Sequence, residues 1–225
     1  MPDLRAVLLP VYVLADESGS MAPHIGELNA GLASLHAALL GEPMACAKVR
    51  LTIMGFSDTV ALRMHLADLR VQARLPELIP RTATNYGAAF SALEQQIRVD
   101  VAEMKAQQFG VHRPAVFFLS DGLASDGNLW WPIHERLTDR ERTPGAPNII
   151  AFGIGEAEPK SILKVATRPD YAFVSIAGSD VGAAVARFST ALTKSVIASG
   201  RSLAKGQAEL FVERPEGFVM AIDLV

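Results

Sequence analysis

AVLLPVYVLADESGS, residues Ala6 to Ser20, is the stretch on which the fold turns. Its first ten residues are almost wholly apolar and rich in Val and Leu. A run of this length and composition predicts a strand buried on both faces, as in a parallel sheet. Asp16, Ser18 and Ser20 follow at once, so a carboxylate and two hydroxyls emerge where the strand ends. In open α/β sheets ligands bind beyond the carboxyl ends of the strands. Carboxylate and hydroxyl oxygens are hard donors that suit a hard cation such as Mg2+.

Further apolar runs alternate with helical patterns along the chain. Leu28, Leu32, Leu35 and Leu39 recur at helical spacing, and Gly41 is the expected stop. Val49–Phe56 reads as a strand, and Val60–Leu66 as its hairpin partner across Ser57-Asp58-Thr59. Pro76 and Pro80 mark an irregular connector. Thr82 to Asn85 open a long helix whose apolar face is Tyr86, Phe90, Leu93, Ile97, Val101 and Met104. Pro114–Ser120 is the next strand, with Asp121-Gly122 at its end. A helix opened by Trp130-Trp131-Pro132 and running to about Arg140, a strand at Asn148–Ile154, a short helix at Pro159–Ala166 and a strand at Tyr171–Ile176 follow. Ser179-Asp180 cap a last helix that ends near Gly200.

This alternation predicts an α/β fold: a three-layer, doubly wound, mostly parallel sheet with one antiparallel edge strand. Residues 1–200 form the expected domain. Residues 201–225 form an extension, with two short strands expected at Leu210–Val212 and Phe218–Ile222.

Composition narrows the function classes. The chain has 225 residues, 50% of them apolar and 20% charged, with a net charge of -3. That length supports one substantial core. No basic stripe marks a nucleic-acid surface. The single cysteine, Cys46, forms no internal disulfide, which points to a reducing compartment. Met1 to Arg5 carry little positive charge, and the apolar run after them lacks a cleavage site and is too short to cross a bilayer. A cytoplasmic protein of bacterial style, away from membranes, is the expectation.

Topology brings three loops to one crevice. The first strand supplies Asp16, Ser18 and Ser20, the loop before the long helix supplies Thr84, and the strand ending at Ser120 supplies Asp121. Two carboxylates offset one divalent cation, and three neutral hydroxyls add ligands without adding charge. A site kept near neutral accepts one further carboxylate from a partner, whereas four or five carboxylates would repel it. Mn2+ shares these ligand preferences with Mg2+, and Ca2+ is also compatible.

These residues resemble the von Willebrand factor A family over roughly residues 4–196. That family carries an Asp-x-Ser-x-Ser segment, a distant Thr and a distant Asp, which together form a metal-ion-dependent adhesion site. Asp16, Ser18, Ser20, Thr84 and Asp121 match that pattern in order. Thr82 also precedes the helix, but Asn85-Tyr86-Gly87 after Thr84 fits the family better. The resemblance implies direct ligation by the hydroxyls, water-mediated ligation by the carboxylates, and a protein partner that offers an Asp or Glu to the ion. Leu9 to Tyr12 and Ser20-Met21 are most similar to the bacterial tellurium-resistance-associated branch, which implies a stress-response setting and kinase- or phosphatase-like partners.

Two rivals to a binding module stand beside it. A metal-dependent hydrolase of phosphatase type would use Asp16 or Asp121 as base on a metal-bound water, but the sequence offers no convincing acid or nucleophile. A scaffold with a purely structural metal is the other. Glu17 reads as solvated. Gly153-Ile154-Gly155 is a fragment of a dinucleotide motif that lacks its third glycine. The five histidines show no metal spacing. Trp130 and Trp131 read as core or as an exposed anchor for a partner.

Overall fold

A computed structural model describes residues 6–225. The leader reading rests mostly on Met1 to Arg5, which lie outside the described residues. Strand β1 (Val7–Asp16) is followed by a 3-10 turn (Gly19–His24), α1 (Ile25–Leu40) and the one-turn α2 (Pro43–Cys46). Then come β2 (Val49–Phe56), β3 (Val60–Ala67), α3 (Tyr86–Ala106), β4 (Gly110–Val111) and β5 (Ala115–Ser120). The remainder is α4 (Trp131–Thr138), β6 (Asn148–Gly153), α5 (Pro159–Val165), β7 (Ala172–Ser175), α6 (Val181–Ala204) and β8 (Phe218–Met220).

The sheet runs β3-β2-β1-β5-β6-β7-β8, with β4 paired to the start of β1. The strands from β2 through β7 on this path are mutually parallel. β3 and β8 are antiparallel, one at each edge. The expected fold has one antiparallel edge, and the second is made by the tail strand expected at Phe218–Ile222 and observed at Phe218–Met220. Phe218, at 4% exposure, is anchored in the core beside Phe152.

Burial on both faces follows from alternation along β1. Val11, Val13 and Ala15 face a core layer completed by α1 and α6, with Leu28, Leu32, Leu35, Val185, Phe188 and Leu192. Tyr12 and Leu14 face the other layer, completed by α3, α4 and α5 through Tyr86, Phe90, Leu93, Trp130, Leu137 and Ile162. The three-layer architecture is therefore the one expected.

Three local departures have physical causes. Helix α6 passes the expected stop at Gly200, because a side chain there would collide with the Ala45 backbone at 3.0 Å. Glycine at this point serves close packing of α6 on α2 rather than termination. The expected strand at Leu210–Val212 is absent. Serine hydroxyls of α6 hold this segment instead: Ser199 Oγ accepts from the Phe211 N–H at 2.9 Å, and Ser195 Oγ from the Glu213 N–H at 2.9 Å. Gly153 serves packing too, since a Cβ there would meet Ile162 of α5 at 2.7 Å.

The chain leaves β1 toward β2 on one side and reaches β5 on the other. The crevice between the carboxyl ends of β1 and β5 is thus the switch point of the sheet, where ligands bind in doubly wound folds.

Candidate metal centre

Asp16 closes β1, and Ser120 closes β5 beside it. The Asp16 carboxylate is fully buried and accepts two hydrogen bonds. The Ser18 N–H donates to Oδ1 at 2.8 Å, and Ser120 Oγ donates to Oδ2 at 2.6 Å. The first is a local turn that folds the Asp-x-Ser segment back on itself. It leads the Ser18 hydroxyl to 3.0 Å from Ser20 Oγ. Ser20 Oγ in turn donates to Asp121 Oδ1 at 2.9 Å. Asp16, Ser18, Ser20 and Asp121 therefore form one connected cluster across about a hundred residues of chain.

Thr84 lies on the same rim, at 8% exposure. Among the described residues, no side-chain hydrogen bond joins its hydroxyl to the other four. Its loop is held in place by the backbone. The Gly19 N–H donates to the Thr82 carbonyl at 3.0 Å, and the Ser125 N–H and Oγ donate to the Thr84 carbonyl at 2.8 and 2.9 Å.

The reading of Glu17 as solvated is corrected: its side chain is completely buried. Gly55 makes this possible, because a Cβ there would lie 2.1 Å from the Glu17 carboxyl carbon. Arg63 of β3 grips the carboxylate in a fork, Nε and Nη2 each at 2.9 Å, and the Ile79 N–H adds a third bond at 3.1 Å. Fork geometry fixes orientation as well as charge. Glu17 thereby pins the irregular connector that delivers Thr84. An isolated Glu in a Ser-rich turn gives no hint of this; only a Gly facing it from the adjacent strand could have.

Asp126 and Ser120 also escaped the sequence reading. Asp126 accepts from the Tyr86 N–H at 3.2 Å and the Gly87 N–H at 2.8 Å. A side chain at Gly87 would sit 2.8 Å from that carboxylate, so Gly87 clears its approach. Asn85 caps α3 by accepting from the Ala88 N–H at 2.8 Å. Trp130 is buried against Tyr86 and Phe90, whereas Trp131 is 39% exposed.

The electrostatics of the rim are unusual. Burial pushes the Asp16 carboxyl up to about 6, against the pull of the Ser120 and Ser18 hydrogen bonds. Burial raises Asp121 as well. Among the described residues neither carboxylate has a Lys or Arg partner within 4.0 Å. Buried carboxylates are normally paired or bound to metal. Two anionic and three hydroxyl oxygens are a donor set that fits a hard divalent cation. Among the described residues no group of three or more His, Cys, Asp or Glu side chains is arranged to hold a metal. Any ion here must therefore draw on hydroxyl oxygens.

The chain matches no protein-family model and no curated protein sequence. Solved structures do resemble it. Proximal thread matrix protein 1 from the mussel byssus superposes with a TM-score of 0.55 at 17% identity, over 85% of this chain and 48% of that one. The pilus adhesin SpaC from Lactobacillus rhamnosus GG gives 0.64 at 13% identity, over 86% and 30%. A von Willebrand factor type A structure from Catenulispora acidiphila gives 0.53 at 14% identity, over 85% and 43%. The chain spans less than half the length of each. One form of the mussel protein, similar at a TM-score of 0.57 and 14% identity over 85% of this chain and 48% of that one, has a zinc-occupied metal-ion-dependent adhesion motif. Sheet order, switch point and these likenesses together show that the chain has the von Willebrand factor A fold.

Proposed function

We propose that this chain is a divalent-metal-dependent protein-binding module rather than an enzyme. The observation that carries the reading is the pair of buried carboxylates, Asp16 and Asp121, which share a hydroxyl cluster and have no Lys, Arg or His within ion-pair distance among the described residues. Ser18, Ser20 and Thr84 would hold the ion through their hydroxyls, with Asp16 and Asp121 balancing its charge. A bound Mg2+, or Mn2+ or Ca2+, supplies positive charge at the rim for an acidic group of a partner protein. This chain's residues do the rest. Ser120 and the Ser18 amide orient Asp16, Glu17 with Arg63 braces the connector, and Asp126 fixes the start of α3.

The finer proposal is a cytoplasmic role in a tellurium-resistance or stress-response system with kinase- or phosphatase-like partners. It rests on the character of Leu9 to Tyr12 and of Ser20-Met21. Among the described residues no helix is long and apolar enough to cross a membrane.

The test is capture of partners from native lysate in Mg2+, in EDTA and with Asp16→Ala. Capture should fall sharply in both of the latter, because the charge-paired contact disappears. Undiminished capture in both rejects the reading. Turnover of generic phosphoesters in Mg2+, lost with Asp121→Asn, would favour the hydrolase.

A further inference from the structure

The far end of α3 carries a second feature that the metal rim does not use. A cleft of about 460 Å³ opens between α3, α4 and the loop 139–147. Ile97, Val101, Leu137, Pro144 and Gly145 give it an apolar floor and walls. Arg98, Lys105 and Arg142 stand around it, all exposed. This volume lies in the range of small-molecule sites. The metal rim meets α3 at Tyr86 and Gly87, whereas the cleft begins at Glu94 and Ile97 and extends to Lys105. The distal part is thus separated from the rim by roughly 15 Å or more along the helix axis.

The cleft is preformed. The loop is closed by hydrogen bonds from the Thr143 N–H to the Asp139 carbonyl at 2.8 Å and from the Ala146 N–H to the Thr143 carbonyl at 2.9 Å. Thr143 Oγ1 ties it to the Arg136 carbonyl at 2.9 Å. Gly145 packs the loop against Ile97 and Val101, at ordinary van der Waals distance.

Its charge is lopsided. Glu94 is the acidic side chain in the lining, and its carboxylate is held in a fork by Arg136 at 3.0 and 2.6 Å, with Arg98 at 3.8 Å. Arg142 lies 3.5 Å from Asp139. Among the described residues Lys105 has no carboxylate within ion-pair distance. Arg98, Lys105, Arg136 and Arg142 thus outnumber Glu94 and Asp139 by two, on a chain whose net charge is -3. An apolar slot ringed by surplus positive charge matches a ligand with an apolar body and an anionic head.

We propose that this cleft is a binding site for a small amphiphilic carboxylate, with the hydrocarbon on Ile97, Val101 and Leu137 and the carboxylate between Lys105, Arg98 and Arg142. Octanoate, 1-octanol and octylamine titrated calorimetrically into the full chain, in EDTA so that the rim plays no part, separate the contributions. Octanoate should saturate with Kd below about 1 mM, and about tenfold tighter than 1-octanol. Octylamine should bind more weakly than either. The double substitution Arg98→Glu and Lys105→Glu, both at exposed positions, should weaken octanoate about tenfold and leave 1-octanol unchanged. Val101→Trp should block both by filling the slot. Octanoate binding no tighter than 1-octanol, or untouched by the charge reversals, overturns the proposal. An acidic amphipathic peptide that binds at the cleft when octanoate does not also overturns it, in favour of a protein-docking groove.

Discussion

Two groups of buried carboxylates in this molecule look alike by burial and differ in company. Asp100 lies in the interior between α3 and the sheet, fully buried, and four side chains serve it. Tyr12 OH donates at 2.7 Å, Thr52 Oγ1 at 3.3 Å and Gln96 Nε2 at 2.6 Å, and His65 Nε2 lies at 2.8 Å. Glu17 is equally buried and gripped by Arg63. Asp16 and Asp121 have hydroxyls and a turn amide but no ion pair among the described residues. Burying a carboxylate is unfavourable unless something compensates. The interior group is compensated by the chain itself and therefore builds the fold. The rim group has no such compensation among the described residues, which is the basis of the proposed metal site.

This contrast is open to measurement. Asp100→Ala strands the Tyr12 hydroxyl, Thr52 and Gln96 without their shared acceptor, and should lower unfolding free energy by about 4 kcal/mol in a denaturant titration. A loss below about 1 kcal/mol would erase the distinction between the two groups.

His134 extends the comparison to a buried base. It stacks on Trp131 and contacts Phe90 and Trp130, its Nε2 reaches the Val165 carbonyl at 2.8 Å, and its Nδ1 has no partner among the described residues. Burial pushes its pKa down to about 4. Between the ordinary histidine value and about 4 the unfolded chain takes up a proton that the native chain refuses. Stability is therefore full above pH 6.5 and falls on acidification, by about 3 kcal/mol at most. Replacing His134 with Phe should flatten the unfolding midpoint across that window.

Gly55→Ala drives a methyl group into the Glu17 carboxylate and should cost about 2 kcal/mol, read by thermal unfolding. The smallest stability change belongs to the rim. Asp121→Asn removes an unpaired buried charge and should raise metal-free stability by about 1 kcal/mol. The same variant should weaken Mg2+ binding about 100-fold by calorimetry, as expected for a carboxylate that acts on the ion through water. Large destabilisation by Asp121→Asn with unchanged Mg2+ affinity would make the rim structural and reverse the contrast.

The parallel strands, their order of appearance and the helices α1, α3 and α6 were legible because each carries its own period of apolar residues. Asp16, Ser18, Ser20 and Asp121 were legible as a set because each follows an apolar strand, and in a doubly wound sheet those ends must meet. The groups that support them were not. Glu17 and Asp126 are ordinary turn residues in the sequence and Ser120 an ordinary strand end, and each gains its role from a partner far along the chain: Arg63, the start of α3 and Asp16. The tail strand at Phe218 was legible as an apolar segment after a turn, but its partner was not, because its three residues pair with β7 only after α6 and the serine-held tail have carried them there.

By itself, then, the sequence determined the layered α/β architecture and the strand-end positions of Asp16, Ser18, Ser20 and Asp121, since periodicity and strand-end position are local properties that need no knowledge of neighbours. Only the tertiary structure decided which buried charges are matched within the chain and which are not. That matching depends on distances of about 3 Å between residues tens of positions apart, and no local pattern encodes them.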